Sequence, residues 1–112
     1  MKLVVIESPY AGNRRRNDAY LVAAMRDSLN RGEAPFASHR MYPGVLDDDK
    51  PEERKLGIAA GLAWGEEAHL TAVYCDIGIS DGMRHGIAAA MEEGREIEMR
   101  TVEGWTWPPK KT

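Results

Sequence analysis

The stretch "DIGISDGMRHGI", Asp76 to Ile87, joins the apolar run "HLTAVY" to the helix-like "AAAMEEG". Its residue types suit a ligand. Gly78 and Gly82 permit close backbone approach, and Ser80 or Asp81 can cap a helix that begins near Gly82. Free N–H groups at such a helix start attract anions, while Met83 is placed to cover a pocket floor. A second polar stretch, "ESPYAGNRRR", follows the first apolar run and brings Glu7, Ser8, Pro9, Tyr10 and Gly12 ahead of Arg14, Arg15 and Arg16. The guanidinium forks of Arg14 and Arg16 suit a phosphate, and the alternative is a solvated first helical turn, although cations there oppose the helix dipole. Tyr10 could stack on a base. A third, "SHRMYPG", carries His39.

The candidates for catalysis are carboxylates and a histidine. Glu7 and Asp76 each close an apolar run, and two facing carboxylates could divide acid and base work. Each has a plainer reading: Asp76 as a strand-end residue that accepts loop N–H bonds, and Glu7 as the ion-pair partner of a nearby arginine. His85, one turn into the helix, could serve as a base or touch a phosphate, or simply sit half-exposed. His69, before a strand on the opposite edge, reads as structural. No pair of His, Cys or carboxylate residues has the spacing of a metal site, and neither GxGxxG nor GxxxxGK[ST] occurs, so no metal and no cofactor is expected.

These residues need elements to position them. A chain of 112 residues, 43% of them apolar, makes one domain, here 1–104 with a tail at 105–112. "KLVVIE" reads as a buried strand, and apolar residues at helical spacing from about 15 to 31 predict the first helix. "APFASH" reads as a second strand that carries His39 at its end. Asp47, Asp48 and Asp49 before Pro51 read as the cap of a helix from about Pro51 to Glu67. "LTAVYCD" is a third strand, "DGMRHGIAAAMEEG" a third helix and "EIEMRTV" a fourth strand. The alternation predicts an α/β fold, a flavodoxin-like or Rossmann-like three-layer sandwich with a mostly parallel sheet of about four to five strands. Ligands of such sheets bind outside the carboxyl ends of the strands, where the three polar loops converge. A net charge of −3 argues against a nucleic-acid polymer as partner. No run of 18 apolar residues and no signal-peptide pattern is found, which predicts a cytoplasmic protein. The single cysteine, Cys75, excludes an internal disulfide.

"ESPYAG", "PFASHRMYPGVLDDDKPEERKLGIAAGLAW" and "YCDIGISDGMRHGIAAAMEEGREIE" together resemble the nucleoside 2-deoxyribosyltransferase-like superfamily, over residues 3 to 100 and nearest to a small branch often carried by phages. The resemblance implies a nucleoside or nucleotide ligand, a homo-oligomer, and cleavage or transfer of an N-glycosidic bond. It implies that Asp76, Ser80 and Gly82 hold sugar or phosphate, that His39 lines the pocket, and that a nucleophilic glutamate follows four residues after the glycine. That position is Gly86, which cannot attack. Two hypotheses result: an N-glycosidase or transferase using a displaced acid such as Glu7 or Asp76, or a non-catalytic nucleotide-sensing, sequestering or structural protein that kept the pocket.

Overall fold

A computed structural model of the chain describes residues 1–110. The elements are β1 (Leu3–Glu7), α1 (Arg14–Asn30), β2 (Ala34–Phe36), α2 (Ser38–Met41), α3 (Pro51–Gly65), β3 (Leu70–Tyr74), α4 (Asp81–Glu92) and β4 (Glu96–Arg100). The strands form one sheet in the order β2-β1-β3-β4, every pair parallel. The expected Rossmann-like layering is thus present with four strands. Right-handed crossovers put α1, which leads toward the β2 edge, on one face; α3 and α4, which lead the other way, lie on the opposite face.

The core lies between the sheet and α1. Val4 and Ile6 of β1 and Leu70, Ala72 and Tyr74 of β3 meet Tyr20, Leu21 and Ala24 of α1, all buried. Strand alternation sends Val5 and Glu7 to the other face. Trp105, in the expected tail, packs on this core with its ring 4.7 Å from that of Tyr20. The last two residues of that tail lie outside the described residues.

Among the described residues, no buried side-chain nitrogen or oxygen lacks a hydrogen-bond partner. Arg100 donates through both terminal nitrogens to Glu33, at 2.7 Å each, and to the Tyr74 hydroxyl at 3.2 Å. Tyr74 in turn donates to Asp27 of α1 at 2.6 Å, and Ser28 donates to Glu33 at 2.8 Å. The network ties β4, β3 and the end of α1 to the start of β2. On the sheet's N-terminal edge, Nδ1 of His69 accepts from the Leu3 amide at 2.8 Å, the structural role expected for it.

Two expectations are corrected. The second strand stops at Phe36, and His39 stands instead in the short helix α2. Three residues suffice to pair with β1, and α2 then turns the chain back toward the Ser8 hydroxyl. The aspartates do not cap α3 either. Lys50 holds the cap position with no side-chain hydrogen bond, while Asp47 accepts from the Asp49 amide at 2.9 Å and closes a local turn. Asp and Asn favour such turns as readily as caps, so the run alone does not decide between them.

Candidate functional site

At the carboxyl end of β1 the chain splits its side chains between the two faces of the sheet. Ser8 is buried and its hydroxyl lies 2.8 Å from Nε2 of His39. Burial of the imidazole holds His39 down to about 4, against a weaker upward pull from Asp18, so the ring is neutral at ordinary pH. The Tyr10 ring meets His39 edge-on at 6.4 Å, and the Arg14 guanidinium covers the Tyr10 ring at 4.4 Å. Ser8, Tyr10, Arg14 and His39 are therefore one cluster, with buried Pro9 between its first two members.

The loop that carries this cluster is held by residues the sequence reading did not single out. The buried Asn17 donates to the carbonyls of Tyr10 and Ala11 at 3.1 and 3.0 Å, folding the loop onto the first turn of α1. Asn13 caps α1 by accepting from the Arg16 amide. An Asn near a helix start, after a Gly-bearing loop, is the signal that could have found them. Gly12 turns the chain at φ +101°, a conformation that side chains rarely adopt. Arg16 folds onto Asn17, its Nε donating at 3.2 Å, which leaves Arg14 as the arginine nearest the cluster.

Glu7 lies on the other face, against α4. A Cβ added at Gly86 would fall inside the Glu7 carboxyl group, so a larger residue at that point of the helix would have to displace the carboxyl group. Gly82, one turn earlier on the same side of α4, has only the Ser80 hydroxyl within 4 Å of a built Cβ. The two glycines form a bare strip of helix that runs from the α4 N-terminus down to the carboxyl group. Desolvation raises Glu7 from 4.5 to about 7, with Arg95 pulling it back only in part. No ion pair reaches it among the described residues. A carboxyl group in this setting exchanges its proton near neutrality.

Ser80 caps α4 by accepting from the Met83 amide at 3.3 Å, and Met83 is buried beneath it. Gly78 carries a φ of +124°, which makes glycine necessary in the β3–α4 turn. His85 is exposed on α4.

Asp76 does not face Glu7. Its Oδ2 accepts from the Tyr20 hydroxyl at 2.6 Å and from the Val102 amide at 2.8 Å, while its own amide donates to Tyr20 at 2.9 Å. Asp76 therefore faces α1 and fastens the β3 end to the segment after β4. The paired carboxylates expected from the sequence are separated by the sheet, because β1 ends with Glu7 pointing away from α1.

A family model described as "Domain of unknown function (DUF7768)" matches residues 2–100. No curated protein matches the chain. Among solved structures, a 2-deoxyribosyltransferase from the psychrotolerant bacterium Bacillus psychrosaccharolyticus is similar with a TM-score of 0.71 and 15% sequence identity. The alignment covers 93% of this chain and 75% of that one. At this identity the likeness is one of fold.

Proposed function

The chain belongs to the DUF7768 domain family, and from its strand-end site we propose that it binds a nucleoside or nucleotide and breaks or transfers the N-glycosidic bond. The observation that carries this reading is the Glu7 carboxyl group, seated in the space of the missing side chain at Gly86 and raised to about 7. The resemblance implies a glutamate at position 86. The Glu7 carboxyl group from β1 occupies the space that a Cβ at that position would take.

In the proposed reaction the ionised Glu7 closes on the anomeric carbon as the bond to the base breaks, since an oxocarbenium-like centre is stabilised by an adjacent carboxylate. The departing base takes its proton from solvent, and water or a second base then displaces the sugar from Glu7. Ser80 and Gly82 hold the sugar, Tyr10 stacks on the base, and Ser8 with neutral His39 orients a hydroxyl or phosphate. Arg14 neutralises an anion. Asp76 acts through Tyr20 and Val102 as a positioning residue, and His85 has no assigned step. The expected setting is a homo-oligomer in the cytoplasm; no described helix is long and apolar enough to cross a membrane.

A binding-only role has one observation in its favour, the glycine at position 86 itself. Deoxynucleosides and their 5'-monophosphates, incubated with the protein and followed by chromatography for free base and by thermal shift for binding, separate the two. Base release supports the enzyme. Stabilisation without release supports the binder, and silence in both removes the nucleotide reading.

A further inference from the structure

A cation shares the face of the sheet that holds Glu7. On the side that α3 and α4 cover, strand alternation aligns Val5 and Glu7 of β1 beside Thr71 and Val73 of β3, their register partners. Arg95, just ahead of β4, lays its side chain along this face at 7% exposure. Its Nε donates to the Thr71 hydroxyl at 2.9 Å, and its Nη1 to the Gly65 carbonyl at the end of α3 at 2.6 Å. Nη1 also donates to the Glu93 carboxylate, with which Arg95 forms an ion pair. Helix α3 turns Gly61 and Gly65 inward, and a Cβ at Gly65 would lie 3.6 Å from Nη2 of Arg95 and 3.8 Å from Val5. The bare turn of helix leaves room for the guanidinium.

These anchors set a distance. They hold the guanidinium level with Val5 and Thr71, and Glu7 is the next residue of β1 on that face, about 7 Å further along by strand rise. That is too far for an ion pair and close enough for the charge to be felt where little water intervenes. The groups that α4 and β3 set against Glu7 carry no charge: Gly82 and Gly86 on one side, Val73 on the other. Asp81, Arg84 and His85 are exposed on α4, and Asp76 is on the opposite face of the sheet. Burial raises Glu7 to about 7 against the pull of Arg95, so part of the population is ionised at neutral pH. A carboxylate nucleophile must be charged, and it must also stay out of a salt bridge.

We propose that Arg95 is the positioning residue of Glu7, a cation fixed by Thr71, Gly65 and Glu93 so that it favours the charged carboxylate without pairing with it. Glu93 opposes it, since its own charge cancels part of the field that Arg95 sends toward Glu7. The two together set how readily Glu7 ionises. This electrostatic role belongs to the protein alone; its place in catalysis rests on the reading of Glu7 as the nucleophile.

Carbon-detected NMR of the Glu7 side-chain carboxyl, assigned by its loss in Glu7→Gln, follows its titration in the full chain without substrate. Arg95→Met is expected to raise the midpoint by on the order of one pH unit, and Arg95→Lys to bring it back toward wild type. Glu93→Gln removes the opposing charge and lowers the midpoint. Arg95→Met and Glu93→Gln break the same ion pair, so a purely structural role moves the midpoint in one common direction or not at all, and either result overturns the proposal. Glu93→Gln keeps the bonds to Thr71 and Gly65, so the test stays open if Arg95→Met fails to fold. When base is released, the acidic limb of the pH–rate profile is expected to move with the midpoint in each variant. A limb that stays fixed while the midpoint moves overturns the place of Arg95 in catalysis. Opposite midpoint shifts with no base release by wild type would remove the glycosidase reading and leave the action of Arg95 on Glu7 established.

Discussion

Glu7 and His39 titrate in opposite directions against stability. Glu7 binds its proton more tightly folded than unfolded, so its contribution falls as pH rises from 4.5 to about 7. His39 is depressed from 6.5 to about 4, so its contribution rises with pH across that window. Between about 4.5 and 6.5 the two slopes, each about 1.4 kcal/mol per pH unit, cancel. Thermal melts of wild type are therefore expected to change little through that range because of these two groups. Glu7→Gln removes one arm: its melting temperature should climb from pH 4.5 to 6.5, and its stability at pH 8 should exceed that of wild type by on the order of 3 kcal/mol at most. Equal pH dependence in wild type and Glu7→Gln would contradict the burial of the carboxyl group. The spacing of the residues showed neither shift, because both come from packing between distant segments. The candidate residues themselves were legible, since Glu7, Ser8, His39 and Ser80 stand where apolar runs give way to Gly- and Pro-bearing loops.

The contact between β1 and α4 makes Glu7 and Gly86 a coupled pair. Gly86→Ala puts a methyl group into the Glu7 carboxyl and is expected to cost about 1–3 kcal/mol, although alanine is the better helix former. Glu7→Ala opens that space, so adding Gly86→Ala to it should cost nothing or stabilise, and a double-mutant cycle by urea unfolding reads the difference. Additive effects would mean that the two do not touch. Elements also depend on the Arg100–Glu33 pair. Arg100→Met leaves a buried carboxylate without its partner and should destabilise by about 3–5 kcal/mol in the same assay, because the lost pair is desolvated and bidentate. Element types were readable because their periods are long: α1, α3 and α4 have the apolar recurrence or glycine stop of helices, and β3 is nearly all apolar and buried throughout. The four-residue α2 is too short to show a period, which is why His39 reads as the end of a strand. Nor does a linear pattern reveal that α3 turns its glycines inward.

For the whole molecule, the parallel order β2-β1-β3-β4 brings the loops after β1, β2 and β3 to one rim, and the alternation of strands and helices made this legible in advance. What the alternation could not show is the side of the sheet each group takes. Ser8, His39, Tyr10 and Arg14 gather by α1, Glu7 lies under the glycine strip of α4, and Asp76 is committed to Tyr20. A ligand laid across the rim, over the end of β1, would meet both groups. The central proposal is that the Glu7 carboxylate is the nucleophile that breaks the N-glycosidic bond. The most direct measurement is the rate of free-base release from deoxynucleosides and their 5'-monophosphates by wild type and Glu7→Gln, with binding of the same compounds followed calorimetrically. Release by wild type, reduced at least about 1,000-fold in Glu7→Gln while binding persists, is the predicted result. Equal release by both proteins would contradict it.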